Sequence, residues 1–365
     1  MENYNKIVLI LTILGFLFNL HAIEGEKDEV NKSLAFYPFG AYSSETSVFL
    51  GGYALYRFRP SGIQINAPYS SLELNLIASF KKQLRILLRN KYAFDQGKFA
   101  VGIPLRYYNW PTTYYGVGNQ EEPDEEENYT REYWEFYPFL EYHFLNNYTL
   151  SISAYLEKDR IVDSDEENSL LNKNIPGFED YFIAGPEFKF ERLSTDQEFF
   201  PRKGSNIILN FKYYNETFKS DYNYLKVSFD TRKYVTIKKN HTFAGQIFLE
   251  GVNGDVPFEE LPDLGSQMRG YKDNKYIDNR YVLLRLEDRM FPFDSGKLKR
   301  FGMAIFVESG QSFTSFEDVD FGNQKYSAGL GIRWIILPED MLTLRLDMAF
   351  SEDGFEMEII SFEAF

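Results

Sequence analysis

Residues 282–290 read VLLRLEDRM, and this stretch decides the fold. Val282, Leu284, Leu286 and Met290 fall on one face at a period of two, while Leu283, Arg285, Glu287 and Arg289 fall on the other. A period of two marks a strand, because successive side chains point to opposite faces. One face is apolar and the other charged, so this strand divides an apolar medium from a polar one. Three later stretches repeat the pattern. In residues 302–310, Met303, Ile305 and Val307 oppose Ala304, Phe306 and Glu308. In residues 327–336, Ala328, Leu330, Ile332, Trp334 and Ile336 oppose Gly329, Gly331 and Arg333. In residues 341–350, Leu342, Leu344, Leu346, Met348 and Phe350 oppose Thr343, Arg345 and Asp347.

Toward the N-terminus the theme recurs in residues 47–58, 72–80, 83–94, 99–108, 133–144, 149–156, 181–190, 206–214, 222–229 and 242–249. Turn signals such as Asp95-Gln96-Gly97, Asn146-Asn147 and Asp294-Ser295-Gly296 separate them. One strand about every 20 residues gives roughly sixteen, the range of a large barrel. A soluble sandwich would turn the apolar faces inward onto a thick core. Here those faces are only one strand-face deep. Aromatic residues also recur near strand ends (Tyr53, Tyr56, Phe58, Tyr107, Tyr108, Tyr133, Trp134 and Phe350), as an interfacial girdle places them. The pattern predicts an all-β fold, a transmembrane antiparallel β-barrel of about 16 strands with a polar lumen. The chain closes on Phe365, read with Phe362 as the signal of a final barrel strand. In that strand Phe355, Met357 and Ile359 share a face before Ile360, Phe362 and Ala364 take over, a phase change that predicts a bulge or a strong twist.

The start of the chain fits export. Residues 1–6 are polar and end on Lys6, residues 7–20 are apolar apart from Thr12, Gly15 and Asn19, and Ala22 offers a small residue before a cut. Residues 1–22 therefore read as a cleaved signal peptide, 23–33 as a short periplasmic lead-in and 34–365 as the barrel. No later run approaches the roughly 18 apolar residues a helical span requires. The chain has no cysteine, so an exported form cannot rely on disulfides. A net charge of −15 argues against nucleic acid as a partner. Beyond the signal peptide only His143 and His241 remain, and neither sits in a catalytic motif. No phosphate loop, metal spacing or dinucleotide fingerprint is present. The expectation is a protein with no catalytic residues, no cofactor and no metal. The acidic run 121–127 and residues 163–177 read as long loops on the outer side.

One stretch has neither period. Residues 264–271 read LGSQMRGY, between a turn-rich run and a polar segment. Gly265 and Gly270 allow backbone angles that other residues do not reach. Arg269 is a permanent charge with a planar fork of donors, and Tyr271 follows the second glycine. Taken alone, this is a turn with one arginine.

In order, LGSQMRGY is followed by YVLLRLEDRMFP, FVESG, YSAGLGIRW, LTLRLDMAF and a terminal Phe. Upstream stand YYGVGN at 114–119, IAGPEFKFE at 183–191, FPRKGS at 200–205 and GDVPFEELPDLG at 254–265. This series resembles the bacterial surface antigen domain, the barrel of the BamA/TamA-like outer-membrane superfamily, over nearly all of the chain beyond the signal peptide. The resemblance implies sixteen strands and a loop that folds into the lumen from outside, with Gly265, Arg269, Gly270 and Tyr271 as its motif. It gives Arg269 acidic partners on the two following strands, here Glu287 and Glu308. The family usually has Asp where this chain has Glu308, one methylene shorter. Arg285, Arg289, Arg333, Arg345 and Asp347 would also line the lumen. Assembly factors of the superfamily carry periplasmic POTRA modules ahead of the barrel, and the lead-in here is too short for one. The chain thus resembles the short, barrel-only members. The implied function is membrane-protein or lipid insertion or translocation, with outer-membrane lipid, unfolded membrane proteins or a separate POTRA-like subunit as partners. A passive diffusion channel and a surface antigen or adhesin are the alternatives.

Overall fold

The computed structural model describes residues 32–43, 47–60, 69–118, 126–145, 147–164, 174–197, 199–238, 240–338, 341–361 and 363–365. The predicted signal peptide, nearly all of the lead-in, residues 121–125 of the acidic run, most of residues 163–177 and Phe362 lie outside them. Among the described residues there is no α-helix, only strands and short 3-10 turns.

The strands are β1 (Lys32–Ser43), β2 (Ser47–Phe58), β3 (Ser70–Ser79), β4 (Leu84–Phe94), β5 (Phe99–Gly102 and Leu105–Tyr114), β6 (Glu127–Phe136 and Phe139–Phe144), β7 (Tyr148–Ser164) and β8 (Tyr181–Leu193). They continue as β9 (Gly204–Tyr214), β10 (Tyr224–Lys238), β11 (His241–Gly254), β12 (Arg280–Met290), β13 (Phe301–Phe313), β14 (Lys325–Leu337), β15 (Leu342–Ser351) and β16 (Gly354–Ser361). Each pairs antiparallel with the next in one sheet of eighteen segments. Two strands are broken in the middle, which reduces the segments to sixteen strands. Both halves of β5 pair with β4, and both halves of β6 pair with β7.

Each break falls at a proline. Pro104 and Pro138 cannot donate to a ladder. At the first break the Asn90 amide takes over the pairing: its Nδ2 donates to the Ile103 carbonyl at 2.7 Å and its Oδ1 accepts from the Ile103 amide at 2.8 Å. A side chain thus mimics the strand edge that proline removes.

Burial is inverted relative to a soluble protein. On β12, Leu284 and Leu286 are 45% and 47% exposed, while Glu287 and Arg289 are each 1% exposed. The same alternation holds for Met303, Ile305 and Val307 against Phe306 and Glu308 on β13, and for Leu330 and Ile332 against Arg333 on β14. Apolar surface on the outside of every strand is stable only against lipid, so the sheet spans a membrane with its charges in the lumen.

Exterior aromatics collect near the rim that carries both chain ends. Phe94, Phe99, Tyr142, Phe144, Tyr148 and Phe190 form successive ring contacts of 5.2–6.0 Å. Tyr53, Tyr108 and Tyr133 do not belong to the girdle expected for them. They face the lumen, where Tyr53 donates to Glu73 at 3.4 Å and Tyr108 stacks on Tyr133. Alternation alone cannot separate a lumenal tyrosine from an interfacial one, because the phenol ring suits both settings.

The C-terminal expectation is corrected. β16 ends at Ser361, and residues 363–365 leave the sheet. Phe365 is 3% exposed and packs in the lumen with Tyr234 and Ala244. Its carbonyl accepts from Arg289 Nη2 at 2.9 Å, and its ring lies under the guanidiniums of Arg289 and Arg285. Of the bulge or strong twist expected here, the bulge is absent: β15 and β16 pair in unbroken register from Leu344–Ser361 to Ser351–Gly354. Ile360, the first residue of the second apolar phase, lies within β16 opposite Arg345, on the lumenal parity of Glu356 and Glu358.

Candidate functional site

Residues 255–279 connect β11 to β12 from the rim opposite the chain ends and enter the lumen. The loop is built as two short arms. The Gly265 amide donates to the Lys275 carbonyl at 3.0 Å, and the Asp278 amide donates to the Pro262 carbonyl at 3.1 Å. Gly265 is required where the arms meet, since a Cβ there would lie 2.3 Å from the carbonyls of Lys272 and Lys275. Asp263 ties the base, accepting from the Asn274 amide at 2.8 Å and the Ser266 amide at 3.2 Å. Burial pushes its carboxyl up to about 7, against the pull of those two amides.

The tip delivers Arg269 to the wall. Its backbone amide and Nε donate to the two oxygens of Glu308 at 2.8 and 2.6 Å. Its Nη1 donates to Glu287 at 2.7 Å and to Asp347 at 3.0 Å. The guanidinium centre lies 3.5 Å from the Phe306 ring centroid. Burial opposes the charge, but Glu308, Glu287 and Asp347 outweigh it and hold Arg269 protonated far above any working pH. One Glu308 carboxylate thus holds both the main chain and the side chain of Arg269.

Gly270 has φ +90°, which favours glycine at the tip, and a Cβ there would also press on that of Ala349 at 3.1 Å. Its carbonyl accepts from the Ser351 hydroxyl. Tyr271 donates to the Tyr326 carbonyl at 2.8 Å and packs with Leu264, Met268, Tyr276, Tyr281 and Leu283. Gly265, Arg269, Gly270, Tyr271, Glu287 and Glu308 are therefore one constellation, joined by Asp347.

The carboxylates are shared with the other lumenal arginines. Glu287 also accepts from Arg289 at 2.8 Å and Arg333 at 3.2 Å, while Asp347 pairs with Arg333 and Arg345. Glu363, in the inward tail, accepts from Arg333 Nε at 2.9 Å and from the Thr343 hydroxyl at 2.8 Å. Loop, wall and chain end thus form one ionic network in which each arginine faces a carboxylate, while one nitrogen on each of Arg269, Arg285, Arg289 and Arg345 is buried without a hydrogen-bond acceptor among the described residues.

Sequence reasoning missed a second anchorage. The turn Phe258–Glu260 at the loop's start lies against the opposite wall. Glu259 accepts from the Tyr129 hydroxyl at 2.5 Å and pairs with Arg131 at 3.2 Å, and Arg131 also pairs with Glu157 and Asp159. Phe258 packs with Tyr114, Tyr129 and Ile277. Lys226 donates to the Glu260 carbonyl at 3.0 Å. In the sequence PFEELP stood as part of the resembling series, and its density of charge is one that a solvated turn also shows. With Glu259 held by β6 and Arg269 by β12, β13 and β15, the loop crosses the lumen as a strap. That crossing also shows the sheet is curled around it.

Lipid-facing strands around an ionic lumen, strapped by an inward loop, define a transmembrane β-barrel. A family model described as the Omp85 superfamily domain matches residues 59–363, and the chain belongs to that superfamily. Among solved structures, the chain is similar to BamA from Haemophilus ducreyi lacking POTRA domains 1–3, at 16% identity and TM-score 0.63, over 92% of this chain and 71% of that one. It is also similar to CdiB from Acinetobacter baumannii, at 9% identity and TM-score 0.55, over 92% of this chain and 60% of that one. A comparison with curated proteins finds no match.

Proposed function

We propose that this barrel acts, without enzymatic chemistry, in the insertion or translocation of membrane proteins or lipids at the outer membrane of a Gram-negative-type bacterium. Its route there is export behind residues 1–22, cleaved after Ala22. The observation that carries the reading is Arg269 held at once by Glu308, Glu287 and Asp347. Such a clamp fixes a loop across the lumen, which serves a machine that works at its wall and opposes a pore that works through its centre. Unfolded membrane proteins are the substrates this reading favours, delivered by a periplasmic POTRA-like subunit.

The test is reconstitution of the purified chain in lipid vesicles, with and without periplasmic extract, followed by addition of an unfolded outer-membrane barrel. Faster appearance of the folded, protease-resistant substrate supports the reading. The same vesicles, fused to a planar bilayer, report conductance. Large steady conductance with no acceleration of folding would establish the diffusion channel instead.

A further inference from the structure

One rim of the barrel carries a turn dense in cations. The longest connection, 255–279, lies on the rim opposite the start of β1 and the end of β16, which marks the rim where β1 starts and β16 ends as periplasmic. Between β12 and β13 on this rim, residues 291–300 read FPFDSGKLKR and are exposed from Pro292 onward. Lys297–Arg300 forms one 3-10 turn with three cations in four residues. None of Lys297, Lys299 and Arg300 has an ion-pair partner among the described residues. On a chain of net charge −15 this is conspicuous, and the opposite rim presents Glu179, Asp180, Asp221, Glu317, Asp318 and Asp320.

A second observation fixes the depth of these cations. Phe293 and Leu298 are 46% and 54% exposed beside them. At the foot of the turn, Phe301 and Trp334 stack with centroids 6.2 Å apart on the outer face. Along the same rim Lys98 lies over Phe99 and Tyr142 at 5.7 and 5.6 Å, and Arg192 over Tyr148 at 5.9 Å. Aromatic rings of this kind sit at headgroup level, and cations just beyond them reach the phosphates.

We propose that the Lys297–Arg300 turn binds the anionic headgroup of a glycerophospholipid in the periplasmic leaflet. The phosphate accepts from Lys297, Lys299 and Arg300. Phe293 and Leu298 enter the acyl region, and the Phe301–Trp334 pair supports the glycerol level. Three cations without an ion-pair partner among the described residues gain their counter-charge from the bilayer, and each contributes to the attraction.

The test uses the full chain in vesicles of phosphatidylethanolamine with a minor share of phosphatidylglycerol. After detergent extraction, the lipid retained on the purified protein is quantified. Wild type should retain phosphatidylglycerol above its share in the vesicle. The triple variant K297Q/K299Q/R300Q should lose that retention about tenfold or more, as should wild type washed at high salt. K81Q/K82Q, on the opposite rim, should leave it unchanged. Heat-modified gel mobility reports whether the triple variant folds, and the salt wash of wild type decides if it does not. No enrichment in wild type, or equal retention in wild type and the folded triple variant, overturns the proposal. Unchanged lipid with loss of a copurifying periplasmic protein also overturns it, in favour of protein docking.

Discussion

Replacing Arg269 by Ala removes the central cation of the lumenal network. The consequences differ among its three partners. Glu287 keeps Arg289 and Arg333, and Asp347 keeps Arg333 and Arg345. Glu308 loses the side-chain bond and is left with Arg285 Nε at 3.5 Å and with a backbone amide whose loop is no longer clamped. Glu308 is 3% exposed, so its charge cannot turn to water. Breaking one side of a buried pair typically costs about 3–5 kcal/mol. The remaining Arg285 contact places this case at the low end, about 3 kcal/mol, or roughly a hundredfold in the opening equilibrium of the loop. Two readouts follow: the temperature at which the barrel unfolds in SDS, read by gel mobility, and the rate of tryptic cleavage at Lys272 and Lys275. Both should shift in R269A, and R269K should fall between, since an ammonium cannot span three carboxylates and stack on Phe306. Adding E308Q to R269A should cause less further loss than E308Q alone, because the orphaned charge has gone. Strictly additive losses, or an R269A barrel that melts and cleaves like wild type, would refute the clamp.

Three further outcomes are expected. Glu259→Ala removes the bonds to Tyr129 and Arg131 at the loop's other end; tryptic cleavage at Lys272 should accelerate by about tenfold while the melting of the wall shifts less than in R269A. Asp263 gives the loop a pH dependence of definite sign: its folded carboxyl holds a proton up to about 7, above its ordinary 3.8, so its contribution is present in acid and lost as pH rises through 7. Cleavage should therefore be faster at about pH 8 than at about pH 5, and Asp263→Asn should flatten the difference. Phe365→Ala empties the site beside Tyr234 and under Arg289, and about 3 kcal/mol of stability should go with it, read as a lower unfolding temperature in SDS.

Much of the wall was legible because the membrane imposes one rule on every strand. Leu284 outward and Glu287 inward differ by an odd number of positions, and lipid enforces that parity along the whole spanning length. Where strands rise past the lipid the rule lapses. β7 runs to Ser164, eight residues beyond the alternating stretch, because Lys158 and Arg160 replace apolar residues on its outer face. Of the clamp, Glu287 and Glu308 showed by parity as lumenal acids, and the resemblance paired them with Arg269. Asp347 was visible as inward, but its bond to Arg269 requires knowing that β15 lies three strands from β12 on the same wall. The Glu259 anchor was illegible for the same reason. Its partner Arg131 is 128 residues away and meets it only across a lumen that the sequence does not draw.

The two anchors together constrain how this barrel can change shape. Glu259 and Arg269 are ten residues apart in one loop, yet they grip walls far apart in the strand order, β6 on one side and β12 to β15 on the other. A strap of that kind resists widening of the lumen, because any separation of the two walls must break one ionic cluster or the other. The tail adds a third tie: Glu363 and Phe365 join the same arginines that serve the clamp. Release of Arg269 therefore frees Glu287 and Asp347 to rebind Arg289, Arg333 and Arg345 without it, and changes the pull those arginines exert on the chain end. Loop and terminal strand are coupled through shared counter-ions. If so, R269A should raise protease access to the tail as well as to the loop, and E259A should raise access to the loop alone; equal exposure of the tail in both variants would sever the link.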